Sequence, residues 1–343
     1  MKKKLLAIGI LSVMLALTAC GNTVEQTVVE QLSPEEEQAL FEEARNLSIA
    51  DDSITDEYIE IYSPEGLMSI PNGSSRNYVL SADIDMTGNE WAPIDFSGTF
   101  DGKGHSISNL FVSGHSQGLD LVYDGNMKVY QTRFCGMFGI LDGAVVKDLT
   151  INNINYECAT GEECVFSGSI AGFMSDALID NVSVNGTGFL ETSSKCFGIG
   201  GIAGYGKGEI RNSVANLTLI CIDNDAEHRD EQFMGGVYAA GAIDLNNNSI
   251  TIDGYDSDHG YVHNGGLVGM YIHYYDGCPK GSICGNTVDG RIKFFEDNTD
   301  RRAYCEAYVG EMMCWDLDMN KNSNTFTRDE VFEYNVNLMP EEN

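Results

Sequence analysis

The feature that most constrains this chain is a short glycine cluster that recurs with apolar residues inside it. It reads Gly136-Met137-Phe138-Gly139, Ser169-Ile170-Ala171-Gly172, Gly201-Ile202-Ala203-Gly204, Gly236-Val237-Tyr238-Ala239-Ala240-Gly241 and Gly266-Leu267-Val268-Gly269, with Tyr308-Val309-Gly310 as a degraded sixth copy. The closing glycines stand 33, 32, 37 and 28 residues apart. A second phrase follows the clusters, an apolar residue, then Asn or Asp, then apolar alternation. It appears as Val146-Lys147-Asp148-Leu149, Ile179-Asp180-Asn181-Val182, Ile210-Arg211-Asn212 and Ile283-Cys284-Gly285-Asn286, with Ile107-Ser108-Asn109-Leu110 as an earlier copy. A unit of about 30–40 residues with two or three short strands cannot bury its own apolar face, whereas stacked copies shelter one another. Glycine permits the tight turns between strands. Asn at one corner of successive copies tolerates left-handed backbone and forms a hydrogen-bonded ladder. These requirements predict an all-β chain built as a parallel β-helix. A β-sandwich or propeller is the competing architecture, but a propeller blade needs four strands with regular hairpin turns, which the spacing does not show.

Composition agrees with many short strands. Glycine is abundant (38 residues), proline scarce (6), and 43% hydrophobic content suffices for a real core rather than a disordered chain. The charge is strongly acidic, with 20 Lys+Arg against 52 Asp+Glu. Such a body repels phosphate backbones, so nucleic acid is excluded as a partner, while cations and basic proteins are not.

The first residues give an address. Lys2, Lys3 and Lys4 precede an apolar run from Leu5 to Leu17, then Leu17-Thr18-Ala19-Cys20-Gly21. A charged start, a short apolar stretch and small residues before a cut site make a secretory signal peptide, too short for a membrane span of about 20 residues. The Leu-x-Ala-Cys ending resembles the bacterial lipobox, which implies that residues 1–19 are removed and that Cys20 carries lipid. More than one acyl chain then holds the protein to a bilayer firmly. The expected location is a bacterial cell envelope, lipid-anchored and facing outside the cytoplasm. Residues 20–32 read as a tether. Within 33–80, Ser33-Pro34-Glu35-Glu36 starts a helix over 34–47 that caps the repeats, and Ser63-Pro64-Glu65 starts a second helical turn. The repeat body is expected over 81–314 and a C-terminal cap or tail over 315–343.

Nine cysteines remain besides Cys20. Neighbouring positions suggest the pairs Cys158–Cys164, Cys278–Cys284 and Cys305–Cys314, although spacing alone does not fix connectivity, and small buried thiols are the alternative. No pair has CxxC spacing, so a zinc ribbon is not indicated.

The segment Asp83-Ile84-Asp85-Met86, Trp91-Ala92-Pro93-Ile94 and Phe96-Ser97-Gly98-Thr99-Phe100-Asp101-Gly102-Lys103-Gly104-His105, continuing to Leu110, resembles the opening of bacterial surface proteins with GLUG-motif repeats. The repeats themselves correspond to Gly266-Leu267-Val268-Gly269 and its relatives. The resemblance spans about residues 66–309 and implies a right-handed parallel β-helix displayed as an adhesin-like surface protein. Some proteins of that kind carry a peptidase domain; no HExxH stands in this sequence, so that activity does not transfer.

Trp91, Phe100 and His105 are expected in core packing and turn support. For chemistry, the candidates are few. Asp253, Asp256 and Asp258 bunch carboxylates on a loop, as Ca2+ would want, but without the ordered EF-hand pattern. Tyr271, His273 and Tyr275 alternate along one strand and would share a face, offering a platform for sugar rings or a partner protein. No catalytic residues are expected. The functional expectation is adhesion or surface binding to glycan, matrix or another surface protein. A polysaccharide-active lyase or hydrolase on the same scaffold is the alternative, and it would need an acid–base arrangement in a side groove.

Overall fold

The computed structural model describes residues 57–123, 127–160, 164–223, 231–256, 261–272, 282–294, 302–306, 309–313, 318–319, 323–327 and 332–333. Cys20, the 34–47 helix and the tether lie outside these residues. The described residues are almost all β, with 72% strand against 2% helix. Its strands form one sheet of 22 and a second of 7. The described pairings are parallel except for one antiparallel hairpin, Ser116–Tyr123 with Met127–Cys135. This organisation is compatible with the expected parallel β-helix.

The register shows why. Strand Val145–Thr160 pairs with Ala171–Thr192, which pairs onward with Val214–Asp223, then Ser249–Asp256, then Thr287–Phe294. Each partner is the same stretch of the next repeat. Alternate residues point inward, so Val146, Ile151, Ile154 and Tyr156 are buried beside Ile179, Val184 and Leu190 of the next copy. Trp91 and Phe100 join this core, and the Trp91 indole donates to the Met137 carbonyl at 2.6 Å. His105 stays half-exposed, 3.4 Å from Asp83. The helical turn expected at Ser63 is present as Pro64–Met68, with the Ser63 hydroxyl accepting from the Gly66 amide.

The glycine clusters fall into one column. Register pairs Gly139 with Gly172, then Gly204, Ala239, Gly269 and Gly310. The fourth copy therefore closes on Ala239 and not on Gly241, which aligns with Gly206 and Tyr271. The column is glycine because the strand leaving the turn runs against the backbone of the second sheet. A methyl on Gly172 would stand 2.5 Å from the Cys135 nitrogen, and one on Gly269 would stand 2.7 Å from the His263 oxygen. Ala239 fits because the strand it crosses has Gly198 where the neighbouring strands have Phe166 and Phe233.

The Asn corners also stack, with one correction. Asp148, Asn181, Asn212 and Asn247 are all left-handed, with φ between 51° and 59°. Ile107-Ser108-Asn109, however, pairs with Ile151-Asn152-Asn153 and so belongs to a different corner. The deepest ladder sits one residue further on, at Asn248, Asn286 and Asn324. The Asn286 and Asn324 carboxamide oxygens each accept from the backbone and side-chain nitrogens of the Asn one repeat before. Asn248 accepts from the Ser213 backbone, and all three donate to a carbonyl one repeat back. Fully buried, these amides satisfy groups that water cannot reach.

The second sheet was not foreseen. Its strands Cys164–Gly168, Cys196–Gly200 and Glu231–Gly235 are buried on both faces, which hides the period-two pattern. Its outer face carries a separate core in which Phe166 stacks on Tyr205 at 4.4 Å and Phe134 packs on Phe173 at 4.9 Å. The disulfide expectation needs correction as well. Cys158 bonds to Cys135, with Cα atoms 6.3 Å apart, and Cys164 is a buried thiol in the outer core. Cys158 and Cys164 lie on strands of different sheets, so proximity in sequence did not become proximity of side chains.

Candidate functional site

The carboxylates expected to gather around a cation do not converge. Along strand Ser249–Asp256, side chains alternate, so positions 253 and 256 point to opposite faces. Asp256 is fully buried and accepts from the Gln232 amide at 2.7 Å and the Asn264 amide at 2.6 Å, which ties this strand to the second sheet. Asp253 faces outward and binds Lys293 at 2.8 Å. Asp258 lies outside the described residues. Among the described residues no group of three or more His, Cys, Asp or Glu side chains is placed to hold a metal.

The aromatic platform is also relocated. Tyr271 is buried in the main core, on a strand whose five residues are all buried, and His273 and Tyr275 lie outside the described residues. Glu231 and His263 form a 2.5 Å pair, with His263 stacked on Phe233, but both are buried and out of reach of a ligand.

An accessible site lies instead on the outer face of the large sheet, in a groove of about 450 Å³ across four successive strands. Its floor is the column Gly186, Leu217, Ile252 and Gly290. Gly186 and Gly290 take φ of 147° and 133°, where a side chain would run into the carbonyl of the adjacent strand. The column buries Leu217 and Ile252 inward. The walls are therefore the outward columns on either side. One is Asn185, Asn216, Thr251 and Asp289, and the other is Thr187, Thr218, Asp253 and Arg291. Among the described residues, no hydrogen bond engages the side chains of Asn216, Thr218 or Thr251, so their amide and hydroxyl groups face solvent ready to bind.

One step further along the strands runs a half-exposed column, Phe189, Ile220 and Tyr255, ending at Lys293. Here the charged groups close on themselves. The Lys293 ammonium donates to the Tyr255 hydroxyl at 2.8 Å, the hydroxyl donates to Asp253 at 2.9 Å, and Lys293 lies 2.8 Å from the other Asp253 oxygen. The ammonium also stands 4.3 Å from the Tyr255 ring centre, in cation–π range. Burial works against the Lys293 charge, but its bonds to Asp253 and Tyr255 outweigh that and hold its pKa above the ordinary lysine value. This lysine keeps its proton and offers no base.

The groove residues left a faint signal in the sequence. Val214-Ala215-Asn216-Leu217-Thr218-Leu219 alternates polar and apolar, as a half-buried strand must, and the outward set is Asn and Thr. Only the register between copies, which the divergent inserts obscure, makes columns of them. No protein-family model matches the chain, and no curated protein is significantly similar to it.

Proposed function

We propose that this chain is a lipid-anchored surface protein of the GLUG-repeat kind, built as a right-handed parallel β-helix, that binds a polar partner in the groove between the Asn216–Thr251 and Thr218–Asp253 columns. The observation carrying this reading is a groove whose unengaged amides and hydroxyls stand in register beside an apolar column. That pairing of hydrogen-bonding groups with a flat apolar strip suits glycan or matrix ligands, which present hydroxyls and an apolar ring face together. Right-handedness follows from the strong preference of parallel crossover connections for that hand. Cys20, which receives a diacylglycerol on its thiol and becomes the N-terminus when residues 1–19 are removed, is the anchor, and the acidic body is held off anionic lipid headgroups.

Binding is favoured over cleavage by the groove's own chemistry. The groove walls hold two carboxylates, Asp253 and Asp289, on opposite sides of the floor, and Asp253 is already held by Lys293 and Tyr255. A hydrolase needs two carboxylates free to act on one bond, and a lyase needs an unprotonated base, which Lys293 is not. Full-length protein in detergent, applied to arrays of glycans and matrix proteins, is expected to give discrete positives that weaken on Thr218→Val or Asn216→Ala. Uniformly flat arrays refute the reading. Palmitate labelling of whole cells is expected for the wild type and not for Cys20→Ser.

A further inference from the structure

From the register of the groove we infer that its ligand is an extended, uncharged, β-1,4-linked polysaccharide lying across the strands, with one sugar ring per strand. This rests on the surface-binding function proposed above and narrows it to one ligand class.

The first argument is spacing. Adjacent strands lie about 4.8 Å apart, so each wall column repeats its hydrogen-bonding groups at that interval. Asn185, Asn216, Thr251 and Asp289 form one such series, and Thr187, Thr218, Asp253 and Arg291 the other. A β-1,4-linked chain of pyranose rings is nearly straight and advances by almost the same step per ring. Its equatorial hydroxyls would meet a new amide or hydroxyl at every strand. An α-1,4-linked chain curls away from such a row after a ring or two.

The second argument is the apolar strip. Phe189, Ile220 and Tyr255 occupy consecutive strands in a single register column beside the polar wall. A chain lying over the Thr187–Thr218 wall is flanked by this apolar column on one side and by Asn216 and Thr251 on the other, each two residues, or about 6.6 Å, away along the strand. The three side chains remain half-exposed in a protein that buries most of its large apolar residues.

The third argument is charge. The chain carries a formal charge of −32, which opposes a polyanion such as a uronic acid polymer. Within the groove, Asp253 and Asp289 are matched in number by Lys293 and Arg291, so the lining is close to neutral and a polycation finds no acidic track either. A neutral polyhydroxylated chain meets neither obstacle.

The test is calorimetric titration of the full-length protein in detergent with cello- and chito-oligosaccharides of one to six rings. Malto-oligosaccharides and oligogalacturonates serve as comparison arms. Affinity is expected to climb with each ring up to about four, the number of strands in the groove, and then to level off. Asn216→Ala and Thr251→Val are both exposed changes and should each weaken the four-ring ligand about tenfold, as loss of one or two hydrogen bonds does. They should not alter the melting temperature. Glycan binding that ignores chain length, or that favours the α-linked or acidic series, overturns this inference and leaves surface binding standing. So does a positive array confined to matrix proteins. Silence of both the titrations and the arrays overturns the two together.

Discussion

The contact between Gly198 and Ala239 offers a sharp test of how the two sheets pack. A methyl at Gly198 would lie 2.9 Å from the Ala239 Cβ, 3.0 Å from the Phe233 carbonyl oxygen and 3.1 Å from a Phe166 ring carbon. Carbon atoms prefer about 3.5–4.0 Å, so Gly198→Ala overpacks the crossing and should cost about 1–3 kcal/mol. Ala239 is fully buried, and Ala239→Gly should cost about 1.5 kcal/mol, from one lost methyl and the greater freedom of glycine in the unfolded chain. Independent sites would add, giving a double variant weaker by roughly 2.5–4.5 kcal/mol. If the two methyls exclude each other, the double variant recovers part of that. The Phe233 oxygen and Phe166 ring still crowd position 198, so recovery is incomplete and the coupling is about 1–2 kcal/mol. Urea unfolding of the four proteins, with equal slopes as the check on comparable unfolding, measures it. Strict additivity would refute the account of why one member of the glycine column is alanine.

Other perturbations follow from the same structure. Asn286→Ala strips partners from Asn248, Asn324 and the Leu245 carbonyl inside a buried ladder, and a loss of about 3 kcal/mol or more is expected in urea unfolding. Cys135→Ser with Cys158→Ser opens a loop spanning 23 residues and should cost about 3 kcal/mol by the chain-entropy relation, read as a lower melting temperature. The Arg211 guanidinium and the Asn212 amide hold Asp180 below the usual carboxylate range. Asp180 is unfolded-like in pKa only once the chain opens, so it contributes stability above the ordinary aspartate pKa, and that contribution disappears as pH falls through the depressed value. Asp180→Asn should therefore flatten part of the acid limb of a stability–pH curve. Asp244 has the opposite sign: burial, reinforced by the nearby Glu209 charge, outweighs its bond from the Ser282 amide and raises its pKa. Its contribution is present below the ordinary aspartate pKa and lost as pH rises through the raised one, so Asp244→Asn should stabilise most at neutral pH.

Much of the architecture was legible because the forces that build it are periodic. Glycine clusters marked the sites where one strand crosses another closely, and Asn or Asp marked the left-handed corners. What escaped had no such period. The strand Cys164–Gly168 is buried on both faces, so nothing alternates to announce a second sheet. Cysteine spacing misled because Cys158 and Cys164, although neighbours in sequence, lie on separate sheets, while Cys135 lies 23 residues from Cys158 and bonds to it. The carboxylates at 253 and 256 failed as a pair through parity alone, since an odd separation in a strand places side chains on opposite faces. Tyr271 failed for a different reason. Its strand, Val268–Ile272, is buried along its whole length, so the Tyr271 ring is not open to a ligand, and His273 lies outside the described residues. The groove escaped because its residues are ordinary one by one and acquire meaning only when Asn185, Asn216 and Thr251 are aligned across copies.

The described hydrogen bonds between strands join each copy to the one before and the one after, and none of the pairings skips a copy. A gene encoding such a chain can gain or lose one whole period and still bring like residues together at the seam. Glycine would again meet backbone, Asn would again meet Asn, and the groove would grow or shrink by one rung. In the role proposed above, reach from the cell surface and grip on a long ligand would then be tuned together, by gain or loss of whole periods and without any new contact having to evolve.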